Sequence, residues 1–259
     1  MNPNLQIGAV TFYFYGLILS LATLLAFLTA KFLAYREKFP QDTIDEAAIV
    51  LIIPVIFGAR IYHVAHFWDY YSENLAQIFF IWQGGTGIIG GIVGGILALF
   101  LYSKLKKLPF LKLTDLAAPA LALGQSLGRI GNFVNREGFG PPTNLPWGVF
   151  ITPEKRPENF ANLSHFHPTF FYESLGVFLI FLVLIILPFK KTGSRTGVYL
   201  ISYSILRFGL EFFRIDTWQV GIIKIAQIIS VAGLLAGVTI FAKISQSGSP
   251  IPRRSRGMG

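Results

Sequence analysis

The sequence predicts an all-α, polytopic integral membrane protein of about seven transmembrane helices, N-terminus outside and C-terminus cytoplasmic, with a small extracytoplasmic arm or head. Three observations carry this. Hydrophobic residues make up 53% of the 259 and charged ones only 14%, with a mean hydropathy of +0.57, well outside the composition of soluble domains. Apolar runs of about 20 residues, the length a helix needs to cross hydrocarbon, fall near residues 11–33, 47–67, 82–103, 115–134, 169–188, 197–214 and 219–242. Basic residues gather in alternate connections, and the positive-inside rule puts that side in the cytoplasm.

The first run follows a segment, Met1 to Val10, without the basic n-region of a signal peptide, so it is expected to be a retained span. Lys31, Arg36 and Lys38 follow the first run, and Lys104, Lys106, Lys107 and Lys112 the third. Lys190, Lys191 and Arg195 follow the fifth, and Lys243, Arg253, Arg254 and Arg256 the last. The long outer connection, about 135–168, contains PPTNLPWG, TPEKRPEN and SHFHP, whose prolines oppose one continuous helix. Residues 1–243 thus read as a single membrane domain that includes this arm, and 244–259 as a basic, disordered cytoplasmic tail. The net charge of +9 is a topology signal rather than a nucleic-acid footprint, because the basic residues share no soluble face.

Polar residues inside the runs mark the candidate site. A charge at the centre of a membrane helix costs about 2.5–3.5 kcal/mol on insertion scales, so such groups face a bundle interior or a cavity. Arg60 follows PVIFGA, Arg129 lies in LGRIGN, and Arg207 lies in SILRFGLEFFR. Arg207, Glu211 and Arg214 share one helical face, as do Arg129, Asn132 and Asn135. Two readings are open: an internal ion-pair network, or an anion site in which the planar guanidinium fork meets phosphate. The glycines of QGGTGIIGGIVGG, with Gly87, Gly91 and Gly95 four apart, favour close helix packing over ligand contact.

Other chemistries are narrowed by composition. There is no cysteine, so the chain offers no thiol nucleophile and no Cys-ligated metal. The four histidines, His63, His66, His165 and His167, lack a His-Glu-x-x-His signature. Neither a metal nor an organic cofactor is expected.

Taken in order, these segments resemble the bacterial prolipoprotein diacylglyceryl transferases along nearly the whole chain. YFYG resembles the first-helix motif with Tyr15, and GARI the second-helix motif with Arg60. WQGGTGIIGG resembles the Gly-rich third helix, and GRIGNFVNREGFG the signature with Arg129, Asn132, Asn135, Glu137 and Gly140. HPTFFYE supplies His167, Pro168, Tyr172 and Glu173, and LRFGLEFFR supplies Arg207, Glu211 and Arg214.

The resemblance implies transfer of a diacylglyceryl group from phosphatidylglycerol to the lipobox cysteine of a prolipoprotein signal peptide, in the bacterial cytoplasmic (inner) membrane. It implies Arg129 and Arg207 as the catalytic phosphate clamp. Tyr15, Arg60, Asn132, Asn135, Glu137, Gly140, His167, Glu211 and Arg214 are implied to bind substrate. One position departs from the family pattern: a histidine usually precedes the Gly-Gly pair of the third helix, and here Ile89 does. Thiolate stabilisation by the arginines is the expected substitute, with His167 as another; a relative that only binds or transports anionic phospholipid is the alternative function.

Overall fold

A computed structural model describes residues 4–7, 10–215, 217–221 and 223–246. In chain order the elements are β1 (Asn4–Ile7), β2 (Val10–Tyr13), α1 (Phe14–Arg36), α2 (Gln41–His66), α3 (Trp68–Glu73), α4 (Ile88–Leu105) and α5 (Phe110–Asn135). Then come β3 (Val149–Phe150), β4 (His165–Phe166), α6 (Thr169–Ile186), α7 (Ser194–Leu210), β5 (Gln219–Val220), β6 (Ile223–Lys224) and α8 (Ile225–Gln246). Beyond Gln246, the expected basic tail lies outside the described residues.

Long helices stand at the seven predicted positions, and five of them, α1, α2, α4, α6 and α8, are long and apolar enough to cross a membrane. The other two are more polar or shorter. α5 has 26 residues but carries Lys112, Asp115, Gln125, Arg129, Asn132 and Asn135, while α7 has 17 and carries Arg195 and Arg207.

Three helices start later than expected, for local reasons, while α2, α5 and α7 start three to six residues earlier. Residues 11–13 belong to β2, where Val10, Thr11, Phe12 and Tyr13 are all β-branched or aromatic. The third helix begins at Ile88 rather than 82, because Gly84 and Gly85 take left-handed backbone (φ 91° and 74°) that ends any preceding turn. The last begins at Ile225 rather than 219, after the small β5–β6 hairpin. The all-α expectation therefore gains three two-stranded antiparallel pieces, β1–β2, β3–β4 and β5–β6.

The chain forms two compact units, residues 30–113 and residues 1–29 with 114–259. In the first, α2 packs on α4 so closely that backbone meets backbone. A Cβ on Gly90 would lie 2.1 Å from the Gly58 carbonyl oxygen, and one on Gly94 would lie 2.3 Å from that of Pro54. Close packing was the expected use of these glycines, but the contact ridge is Gly90 and Gly94; Gly91 and Gly95 lie beside Val55 at 3.5 and 3.2 Å.

In the second unit, Ala118 and Ala122 of α5, Val177 and Leu184 of α6 and Tyr199 of α7 form one core. Two polar devices fix these helices in register. Ser126 Oγ donates to the Ser174 carbonyl (2.9 Å) and Ser174 Oγ donates back to the Ser126 carbonyl (2.8 Å). The buried Asp115 carboxylate of α5 accepts from the Gly193 and Thr196 amides (2.6 and 2.8 Å) and from the Thr196 hydroxyl (2.8 Å). It thereby caps the N-terminus of α7 from another helix, satisfying amides that have no intrahelical acceptor. Asp115→Ala is expected to cost about 2–3 kcal/mol, since charge-assisted bonds are lost and buried amides stay unpaired. Thermal unfolding in detergent checks this; Asp115→Asn should recover part of the loss, and an unchanged alanine variant would refute the cap.

Between α5 and α6 the chain forms a small folded segment without a long helix. Its core is Phe139, Ile151, Phe166 and Phe170, and the β3–β4 pair (Val149 opposite Phe166) closes it.

Candidate functional site

An apolar helix carries a charge only where a partner compensates it, so the site is best built from the enclosed carboxylate on which its arginines meet. Glu173 lies in the first turns of α6 and is 2% exposed. The Ser126–Ser174 exchange holds that turn against α5, which brings Arg129 of α5 to it: Arg129 Nη2 donates to Glu173 Oε1 at 2.7 Å. Tyr203 on α7 donates its hydroxyl to the same oxygen at 3.3 Å. One helical turn further, Arg207 Nη1 stands 3.6 Å from Glu173 Oε2, and Arg214 Nη1, beyond the end of α7, stands 3.8 Å from it.

Three guanidinium groups thus converge on one carboxylate. Arg207 also pairs with Glu211 at i, i+4, Nη2 to Oε2 2.9 Å, as the spacing suggested. Glu211 is 1% exposed. Lys224 of β6 closes the group, its ammonium donating to the carbonyls of Glu211 (2.6 Å) and Arg214 (3.3 Å). Two buried donors, Arg207 Nη1 and Arg214 Nε, have no hydrogen-bond acceptor among the described residues, nor does Glu211 Oε2 have a hydrogen-bond donor. Four cations face two buried carboxylates here, so the cluster keeps positive charge and unmatched donors, the properties of an anion site.

The signature segment after α5 borders this cluster. Asn132 and Asn135 both donate side-chain amides to Glu137 Oε1, at 3.1 and 3.3 Å. They share Glu137 rather than Glu173, so the common face with Arg129 serves two carboxylates. At Gly138 (φ 68°) a Cβ would stand 3.9 Å from both Arg214 Nη2 and Asn132 Nδ2, which places the ends of both side chains beside that glycine. Gly140 admits no side chain at all: its Cβ would be 2.6 Å from the Phe213 carbonyl oxygen and 3.1 Å from His167 Cβ. The two glycines let the chain pass between α5 and the residues following α7.

His167 and Tyr15 complete the neighbourhood. His167 Nδ1 lies 3.2 Å from the Tyr172 hydroxyl oxygen, which accepts from Trp147 Nε1 at 2.8 Å. Tyr15, in the first turn of α1, lays its ring over Gly131, where a Cβ would approach within 2.7 Å. It therefore covers α5 between Arg129 and Asn132.

Arg60 has a different setting, in the unit of residues 30–113. It is 7% exposed, and its guanidinium donates to the carbonyls of Gln77 (2.5 Å), Ile78 (2.9 Å), Gly84 (2.7 Å) and Gly85 (2.8 Å), with the Tyr71 ring 5.2 Å away. Four of its five N–H groups are taken by backbone. Its geometry is that of a brace for the short 3₁₀ turns and the glycine pair before α4.

Sequence reasoning passed over Glu173, Tyr203 and Lys224 as site residues. The signal for Glu173 was present: a lone carboxylate inside the apolar run TFFYESLGVFLI needs a cationic partner.

Comparison with known proteins agrees with this arrangement. A family profile described as "Prolipoprotein diacylglyceryl transferase" matches residues 3–243. A protein of Trichormus variabilis named phosphatidylglycerol–prolipoprotein diacylglyceryl transferase is 41% identical over 95% of this chain and 90% of its own length. Proteins of the same name from Finegoldia magna (41% identical; 92% of this chain, 93% of that one) and Thermosynechococcus vestitus (38%; 97% and 95%) are similar throughout. With the profile and these relatives spanning nearly its whole length, the chain belongs to the prolipoprotein diacylglyceryl transferase family.

Proposed function

We propose that the protein transfers the diacylglyceryl group of phosphatidylglycerol to the cysteine thiol of a prolipoprotein, forming a thioether and releasing glycerol phosphate. The observation that carries this reading is the convergence of Arg129, Arg207 and Arg214 around Glu173, inside a chain of this family. Displacement at a glyceryl carbon leaves a second negative charge on the departing phosphate. Preorganised guanidinium donors in a water-poor site stabilise that charge as it develops. Arg129 and Arg207 are the clamp, with Arg214 beside them; Asn132, Asn135 and Glu137 face the glycerol hydroxyls, and Tyr15 covers the lipid. The sulfur comes from the lipobox of the peptide, in keeping with a chain that has no cysteine of its own.

The protein works in the cytoplasmic membrane of a bacterium, with seven crossings, the N-terminus outside and the arm on the outer surface. α5 and α7 cross with their polar faces turned inward, which is why composition alone does not mark them as spans.

The test is reconstitution into phosphatidylglycerol vesicles with a single-cysteine lipobox peptide, following glycerol phosphate release and peptide mass. Both products must appear together, and lipid binding without release would overturn the assignment. Topology is read separately, in intact cells: Asn162→Cys in the arm should label from outside and Lys106→Cys should not.

A further inference from the structure

We propose that His167 is the proton acceptor that ionises the substrate thiol; this rests on the transferase reading. A cysteine thiol has a pKa of about 8.5 and reacts as thiolate, so at neutral pH the site must remove a proton. The arginine cluster is poorly placed to supply all of that drive. Its excess over Glu173 and Glu211 is two charges, Glu137 lies alongside, and the leaving phosphate monoester itself carries close to two negative charges. Little positive charge is left over for a thiolate.

The candidate bases in this unit differ in strength. Carboxylates as a class lie about four pK units below a thiol and imidazoles about two, so an imidazole is the better match by about 10²-fold. Two imidazoles are described here. His165 is exposed, with its Nδ1 2.9 Å from the Ser164 hydroxyl and its ring beside Phe150 on the arm.

His167 is half-buried and packs beside Phe213, the residue before Arg214. Its Cβ and the Phe213 carbonyl, next to Arg214, both crowd Gly140, and its ring centroid is 6.3 Å from that of Phe213. Its neighbour Thr169 donates to the Gly138 carbonyl at 2.6 Å, the glycine beside which the Arg214 and Asn132 side chains end.

The hydrogen bonds around His167 suit a base. Tyr172 oxygen accepts from Trp147 and, with Nδ1 protonated, from His167 as well. The base role requires this Nδ1–H tautomer, which leaves Nε2 with its lone pair and no partner among the described residues. The titratable and charged groups on the elements packed around it are Tyr172, Arg136 and Glu137 before Gly140, Glu211 and Arg214 flanking Phe213, and His165 on β4. In the step, Nε2 takes the S–H proton and sulfur bonds to the terminal glyceryl carbon. The C–O bond to phosphate breaks with its electron pair going to the phosphate oxygen, and Nε2 then returns its proton to solvent. The position occupied by Ile89 is not needed for this transfer.

The experiment compares the wild type and His167→Gln in phosphatidylglycerol vesicles, with a cysteine peptide and with its selenocysteine analogue, whose selenol is ionised at neutral pH. Glycerol phosphate release is measured from about pH 5 to 9, with His165→Gln as control. Expected are a kcat loss of about 10²–10⁴-fold with the cysteine peptide, little change in KM, loss of the acid limb of the profile, and recovery with the selenocysteine peptide. His165→Gln should behave as wild type. Equal losses on both peptides, or a His167→Gln profile that keeps its acid limb, would overturn the proposal while wild-type turnover upheld the reaction. No turnover by the wild type on either peptide would overturn both.

Discussion

Arg129→Ala and Arg207→Ala are each expected to reduce glycerol phosphate release by at least about 10²–10³-fold, the loss of about 2.7–4 kcal/mol that follows removal of one preorganised donor to a developing anion. Both proteins should still insert and fold. The reason lies in the geometry of the cluster: each arginine is a spoke, and when one is removed Glu173 keeps two other guanidinium partners within 4 Å. Arg129→Ala therefore strands no buried carboxylate, whereas Arg207→Ala also takes the partner of buried Glu211 and should lower stability as well as turnover. Lysine should rescue poorly at position 129, where the guanidinium bonds Glu173 at 2.7 Å and must still present its other donors to phosphate. A compact ammonium cannot keep that fork geometry. Near-wild-type turnover by both alanine variants, measured in the same vesicles, would remove these residues from the chemistry.

How much of this was legible beforehand follows from what each feature depends on. Helix positions depend on local apolar runs, and the long helices stand where the runs predict. Their starts were misplaced where local backbone chemistry intervenes, at the left-handed Gly84–Gly85 pair and in the hairpin before Ile225. Helical spacing also gave the Arg207–Glu211 pair, because i, i+4 neighbours meet whatever the rest of the fold does.

The convergence on Glu173 is a different matter. It requires α5, α6 and α7 to meet at one level, and that level is set by contacts far apart in sequence, Ser126 with Ser174 and Asp115 with Thr196. Arg60 shows the same limit from the other side. An arginine ending an apolar run reads alike whether it holds a ligand or a loop, and the carbonyls that claim it belong to a stretch of short 3₁₀ turns and glycines whose course only the folded backbone reveals.

Removing the hub should differ in kind from removing a spoke. Glu173→Ala leaves Arg129, Arg207 and Arg214 close together with only Glu211 as a buried counter-charge, and breaking a buried ion pair typically costs about 3–5 kcal/mol. Lower thermal stability in detergent is therefore expected together with loss of turnover, whereas Arg129→Ala loses turnover alone. Glu173→Gln separates charge from shape, since it keeps a hydrogen-bond acceptor for Arg129 while removing the charge. It should fold better than the alanine variant and still be slow, because Arg207 and Arg214 interact with Glu173 at 3.6 and 3.8 Å through charge rather than a direct hydrogen bond. Deleting one negative charge also raises the potential of the cluster, so an added anionic headgroup should stabilise Glu173→Gln more than the wild type. The measurement is the rise in Tm on adding phosphatidylglycerol in place of a zwitterionic lipid. An equal rise in both proteins, or an alanine variant as stable as the wild type, would mean that Glu173 does not hold the three arginines together.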